Sequence, residues 1–236
     1  MDESLIEKQN GNFANTVLGA VPSVVYNEDC VEGLKRFSDN YFDLAIVDPP
    51  YGMSRTKMNI GGRDETKIYK GGHFDEEKPT AEYWEQLFRV SKNQIVWGGN
   101  YFTTYLPEKS GWIIWQKHIN PNATAFSAAE LAWSSFDKKV MMFVRSVGMD
   151  VTDAVNGKMG ARRIHSCQKP IELYDFILLN NSKEGDLILD THLGSGSSRI
   201  SCFKAKLNFT GFEIDKDYYE AQEKRFKDFV SQLRMF

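Results

Sequence analysis

The chain has 236 residues, a length that fits one α/β domain with little left for a second. With 42% hydrophobic residues it can build a core, yet no apolar run approaches the ~18 residues of a membrane-crossing helix, and Met1–Leu18 lacks the apolar heart of a signal peptide. A cytoplasmic protein without a membrane partner is expected. The net charge of −3 argues against a coat of positive charge but leaves room for a local basic patch. Cys30, Cys167 and Cys202 are scattered and form no Cys-x-x-Cys pair, so neither a zinc site nor a disulfide framework is expected.

In chain order, residues 1–20 read as a loosely held tail and residues 21–236 as one domain. Val21–Tyr26 is a short apolar run, predicted as a strand, and Val31–Phe37 a short helix with Leu34 and Phe37 inward. Phe42–Val47 is a buried strand ended by Asp48-Pro49-Pro50-Tyr51, and Gly52–Gly72 is a long polar loop. Thr80–Ser91 carries Tyr83, Trp84, Leu87 and Phe88 at helical spacing. Strands are predicted at Gln94–Trp97, Trp112–Trp115, Ala129–Trp133 and Lys139–Val144, with Trp97, Trp112, Trp115 and Trp133 packing in the core. After a loop over 148–165, Pro170–Asn180 reads as a helix opened by its proline. Asp186–Leu189 is a central strand, Ser198–Ala205 a helix, Asn208–Phe212 a strand and Tyr218–Leu233 an amphipathic helix. Strands alternating with helices imply a doubly wound, mostly parallel sheet.

Two turns carry the candidate chemistry. Asp190-Thr191-His192-Leu193-Gly194-Ser195-Gly196-Ser197-Ser198 joins a buried strand to a helix, and glycine lets a ligand approach the backbone. Glu213 ends the next strand, where nucleotide folds place a carboxylate on ribose hydroxyls. Only G-x-G stands here, short of the run a pyrophosphate prefers. The acidic Asp190 suits the positive sulfonium of S-adenosyl-L-methionine better than an anion. The plainer reading, a tight strand-to-helix turn, stays open for this segment alone.

The Asp48–Tyr51 corner is sharper. Two prolines hold the backbone extended at the carboxyl end of a buried strand, the edge where open α/β sheets bind ligands. The corner offers a carboxylate, the Pro49 carbonyl and the Tyr51 ring. An adenine N6 amine is a poor nucleophile because its lone pair is conjugated into the ring. Two acceptors, the Asp48 side chain and the Pro49 carbonyl, would hold both N–H groups and localise that lone pair, with Tyr51 stacked on the base. A structural Pro-Pro turn is the plain alternative.

These residues make the chain resemble the β-class S-adenosylmethionine-dependent amino-methyltransferases of DNA, adenine-N6 type. In that family Asp-Pro-Pro-Tyr precedes the glycine loop, a circular permutation, as Asp48–Tyr51 precedes Asp190–Ser198 here. The stretch Asn27–Leu34 and the segment His165–Pro170 resemble two further motifs, so the likeness spans about residues 22–225. It implies a Rossmann-like seven-stranded sheet with one reversed strand. It implies S-adenosyl-L-methionine held by Asp29, Cys30, Lys169, Asp190, His192, Gly194, Ser195, Gly196, Ser197 and Glu213. In particular, Asp29 would accept from the cofactor's adenine, and Lys169 would serve its carboxylate or fix the loop. Thr191, His192 and Leu193 depart from the family's Pro, Phe and small residue, and Ser166 and Cys167 from its Pro-Thr. Asp48 stands where the family's cytosine-N4 enzymes usually carry Ser.

The substrate expected is double-stranded DNA, with adenine flipped out of the duplex to reach the corner. Segments 52–79 and 145–168 are the candidate DNA-contacting loops, through Arg55, Lys57 and Arg63 in the first and Arg162 and Arg163 in the second. Asn100 and Tyr101, after Gly98-Gly99, are expected to face the site. The resemblance suggests a homodimer; a restriction endonuclease counterpart is not evident from the sequence. RNA adenine methylation, or a non-catalytic cofactor- and DNA-binding subunit, are the alternatives.

Overall fold

The computed structural model describes residues 22–52, 77–117, 127–146, 164–165 and 167–233, and every structural statement below concerns these residues. Eight strands form one sheet: β1 (Ser23–Tyr26), β2 (Leu44–Val47), β3 (Gln94–Trp97), β4 (Trp112–Gln116), β5 (Ala129–Ser134), β6 (Met141–Val144), β7 (Leu187–Asp190) and β8 (Asn208–Phe212). Their order is β1-β8-β7-β2-β3-β5-β4-β6. β5 is antiparallel to both neighbours, and every other pairing is parallel, so β5 alone is reversed among the described strands.

The strand count corrects the seven implied by the family resemblance, whereas the eight segments picked from apolar runs each become a strand. The reversed strand is present as expected. β1 completes the eight: all four of its residues pair with β8, from Ser23 opposite Phe209 to Tyr26 opposite Phe212.

The central strands read as continuous apolar runs because both faces are covered. Along β2, Leu44 and Ile46 enter one core cluster while Ala45 and Val47 enter the other. β3 divides likewise, Ile95 and Trp97 to one side and Val96 to the other. Helix α1 (Cys30–Leu34) is capped by the Asp29 carboxylate, and α2 (Ala81–Val90) by the Thr80 hydroxyl. α2 turns Tyr83, Trp84, Leu87 and Val90 into the second cluster. On the opposite face, α3 (Ile171–Asn181) supplies Leu173, Tyr174, Ile177 and Leu178. Pro170 is its N-cap and not its first helical residue, so the helix starts one residue later than expected. α4 (Ser197–Lys204) and α5 (Lys216–Leu233) complete the described helices. Trp97, Trp115 and Trp133 are buried in the core, as the sequence suggests, and Trp112 is half-buried against it. No described helix is long and apolar enough to cross a membrane.

This topology places the site. β1, β8, β7, β2 and β3 run in parallel, so the residues following them gather at one edge: Asn27–Asp29, Glu213, Asp190, Asp48 and Gly98. Because β5 is reversed, its first residues reach that same edge, with Glu130 opposite Trp115 near the end of β4.

Candidate active site

Asp48 leaves β2 with both carboxylate oxygens engaged. Oδ1 accepts from the Tyr51 hydroxyl at 2.6 Å, and Oδ2 accepts from the Lys169 ammonium. Burial and the neighbouring Asp48 carboxylate push the Tyr51 phenol well above its ordinary pKa, so it stays a neutral donor. Its ring stacks on Tyr101 at 5.0 Å and 22° between planes. Gly98, in the left-handed region at φ +66°, lies against the ring edge, where a Cβ would stand 2.3 Å from Tyr51 Cε1. Of Asn100 and Tyr101, the two residues expected to face the site, Tyr101 stacks on Tyr51, the ring that the sequence reading assigns to a base.

Lys169 is 4% exposed and sits within a chain of four charges. Its Nζ meets Asp48, lies 3.3 Å from Glu130 Oε2, and stands over the Trp97 ring at 5.1 Å. Glu130 Oε1 in turn pairs with Lys117 at 2.9 Å. Burial pulls the Lys169 ammonium down, but Asp48 and Glu130 more than offset it, so its pKa stands above the ordinary lysine value. Burial likewise raises Glu130, and Lys169 and Lys117 override it, leaving the carboxylate below its usual range. The structure therefore brings Lys169 to Asp48, a contact the sequence reading did not foresee. Glu130 was missed altogether, since its place depends on the reversal of β5.

On the adjacent strand, β7 ends at Asp190. Its Oδ2 accepts from the Ser198 hydroxyl at 2.6 Å and its Oδ1 from the His192 backbone N–H at 3.1 Å. Burial, with help from Asp48 and Glu213 nearby, pushes Asp190 up to about 7 against the pull of these hydrogen bonds. The turn that follows uses left-handed backbone at Gly194 (φ +52°) and Gly196 (φ +73°), the latter capping α4. Glu213 closes the turn: its Oε2 accepts from the Gly194 N–H at 2.7 Å and its Oε1 from the Asp215 N–H at 2.9 Å. Burial nevertheless leaves Glu213 above the ordinary carboxylate value.

The other candidate cofactor residues divide into two groups. His192 Nδ1 meets the Thr191 hydroxyl at 2.9 Å, which meets the Tyr83 hydroxyl at 2.9 Å, and the His192 and Tyr83 rings contact edge to face. Burial drops His192 to about 4, so it is a neutral aromatic surface near pH 7. Cys30 is buried and its thiol is pushed up to about 12, mainly by burial; Asp29 is exposed above it and caps α1. Ser195 and Ser197 instead bond toward α5: Arg225 donates to the Ser195 carbonyl at 2.6 Å and to Ser197 Oγ at 3.0 Å. They hold the turn's shape from behind. Arg55, Lys57, Arg63, Arg162 and Arg163 lie outside the described residues, as do most of segments 52–79 and 145–168.

The acidic edge fits a cationic ligand. Asp29, Asp48, Asp190 and Glu213 stand at strand ends, and the buried Lys169 beside them is already paired to Asp48. Such a set suits a sulfonium and an α-amino group better than a phosphate, and at the left-handed Gly194 a would-be Cβ would stand in van der Waals contact with the His165 ring, 3.6 Å from its Cδ2.

Comparison with known proteins agrees with this architecture. The family model described as DNA methylase matches residues 114–224. The Type II methyltransferase M2.MboI of Moraxella bovis is 23% identical over 250 residues, covering 89% of this chain and 89% of its own. Among solved structures, a putative DNA modification methylase of Thermus thermophilus in complex with S-adenosyl-L-methionine aligns with a TM-score of 0.56 at 18% identity, over 88% of this chain and 96% of that one. The PvuII cytosine-N4-specific DNA methyltransferase aligns with a TM-score of 0.58 at 14% identity, over 88% of each chain. The fold is thus the α/β fold of S-adenosyl-L-methionine-dependent methyltransferases, here with a mostly parallel sheet of eight strands.

Proposed function

We propose that this chain transfers a methyl group from S-adenosyl-L-methionine to the exocyclic N6 amine of an adenine flipped out of double-stranded DNA. One observation carries the reading: Asp48 and the Asp190–Gly196 turn follow β2 and β7, which are adjacent parallel strands, so a base acceptor and a cofactor turn share one edge. The likeness to Type II methyltransferases over most of both chains supports DNA as the polymer. Asp48 in place of serine favours adenine through the β-class resemblance, whose permuted order of motifs this chain has.

In this reading Asp190, Glu213, Asp29, Cys30 and His192 would hold the cofactor around the Gly194–Gly196 turn, with Ser195 and Ser197 shaping it. Bound there, the cofactor supplies an electrophilic methyl on a sulfonium. Asp48 and the Pro49 carbonyl accept the two amine N–H groups, which localises the nitrogen lone pair and aligns it for in-line attack. The nitrogen becomes cationic as it is alkylated, so proton loss needs no strong base. The two candidate loops would grip DNA phosphates through Arg55, Lys57, Arg63, Arg162 and Arg163. A homodimer belongs to the same proposal, and Met142 and Val144, exposed on one face of the edge strand β6, are consistent with a covered surface there.

The test is transfer of labelled methyl from S-adenosyl-L-methionine to unmethylated double-stranded DNA, followed by digestion to nucleosides. N6-methyladenine is the expected product. N4-methylcytosine would establish instead the second reading, which the likeness to the PvuII enzyme favours. Label in RNA alone would change the polymer, and no transfer despite cofactor binding would leave a binding subunit.

Gly98→Ala provides a geometric check. The new Cβ would clash with Tyr51, and φ +66° strains any L residue. Transfer is expected to fall on the order of tenfold to a hundredfold as Tyr51 shifts. The cofactor turn lies on other strands, so affinity for S-adenosyl-L-methionine should stay within about twofold, well below the 1.4 kcal/mol of a tenfold change. Equal losses in both quantities would contradict the placement.

A further inference from the structure

We propose that Glu130 is a positioning residue for Asp48 that acts through Lys169, taking over the Lys169 ammonium when the amine of the target base takes Asp48. The proposal rests on the reading of Asp48 as the amine's acceptor. In the structure the Asp48 carboxylate is already occupied, by the Tyr51 hydroxyl on one oxygen and the Lys169 ammonium on the other. An ammonium in that position weakens Asp48 as an acceptor. It also opposes the positive charge that builds on the amine nitrogen during alkylation. Productive binding therefore calls for a second anionic place for Lys169.

Glu130 has that place ready. Its Oε1 is held by Lys117, whereas its Oε2 is buried and accepts no hydrogen bond among the described residues. The Lys169 Nζ lies only 3.3 Å from that oxygen, in geometry that makes an ion pair but no hydrogen bond. A buried carboxylate oxygen left without a donor is a standing cost. A small rotation of the lysine stem removes it while freeing Asp48 Oδ2. The Trp97 ring beneath the ammonium keeps a cation-compatible surface along the way. No proton is transferred and no bond is made or broken; one ion pair exchanges for another.

The experiment is a double-mutant cycle of the native chain, Glu130→Gln, Lys169→Met and the double variant. Each is measured for methyl transfer to unmethylated double-stranded DNA, for S-adenosyl-L-methionine affinity and for melting temperature. Glu130→Gln should lower kcat about tenfold, the size of one strong side-chain coupling, with cofactor affinity retained. With Lys169 replaced by methionine, the glutamine should change kcat by less than about twofold, because there is no ammonium left to place. Glu130→Asp, which keeps the charge, should recover transfer to within about threefold of native, and it serves as the folded comparison if the glutamine variant is unstable. Equal losses from Glu130→Gln in both backgrounds, complete loss of transfer in Lys169→Met, or an aspartate variant as impaired as glutamine would each overturn the proposal. A native chain that binds cofactor but methylates no DNA would overturn the underlying reading, and this inference with it.

Discussion

Replacing Asp48 by alanine is expected to reduce methyl transfer by a factor on the order of a thousand while leaving S-adenosyl-L-methionine affinity nearly unchanged. The carboxylate stands at the end of β2, held rigid by Pro49 and Pro50, and it is the anion of the corner. Without it the amine loses the acceptor that aligns its lone pair, and such preorganised partners supply much of the rate in transfer reactions. The cofactor turn follows β7 and is shaped by Glu213 and Arg225, neither of which contacts Asp48 through a described hydrogen bond, so cofactor binding should persist. Lys169 would keep Glu130 as a counterion, which limits the damage to folding. Single-turnover transfer and calorimetric cofactor binding on the same preparation check both halves. A variant that transfers at near-native rates would remove Asp48 from the chemistry. Equal loss of cofactor binding would make it a structural residue instead.

The second large effect is on stability and depends on pH. Asp190 is buried and holds its proton up to about pH 7 in the folded chain, against 3.8 for the ordinary carboxyl. The stability this contributes is fully present below pH ~4 and is lost as pH rises through about 7. The ceiling on the loss is about 4 kcal/mol, three pKa units at 1.36 kcal/mol each. In Asp190→Asn the side-chain amide cannot ionise, and its oxygen remains as an acceptor for the Ser198 hydroxyl or the His192 N–H. Relative to the native chain the variant should therefore gain stability from pH 4.5 to about 7 and then level off toward pH 8. Urea unfolding of both proteins across that range measures the difference, in which carboxylates shifted the other way, such as Glu130 and Asp43, cancel. A difference that does not change with pH would show that Asp190 ionises as an ordinary surface carboxylate does. The same titration bears on function, because a cationic ligand beside Asp190 would favour the ionised form that folding alone disfavours.

Much of this protein is legible in its sequence. Apolar runs bounded by glycine, proline and charge located all eight strands, most plainly β2 and β3, which are buried on both faces and so carry near-continuous apolar sequence. The helical spacing of Tyr83, Trp84, Leu87 and Phe88 marked α2, since periodicity is local. The Asp48–Tyr51 corner and the Asp190–Gly196 turn announced themselves for the same reason: proline and glycine constrain the backbone where they stand.

Only the tertiary structure decided which of these pieces meet. Lys169 reads in sequence as a residue beside the cofactor's methionine end, yet it pairs with Asp48, 121 positions away. Glu213 reads as a ligand for ribose, yet its carboxylate also braces the Gly194 N–H. Tyr51 reads as an open aromatic face, and Tyr101 stacks on it. Glu130 carries no motif at all; the reversal of β5 alone brings it to the edge where the parallel strands end. Local backbone preference and hydrophobic pattern act over a few residues and so can be read along the chain. The pairing of charges depends on strand order and direction, which are settled only when the whole sheet closes over its two cores.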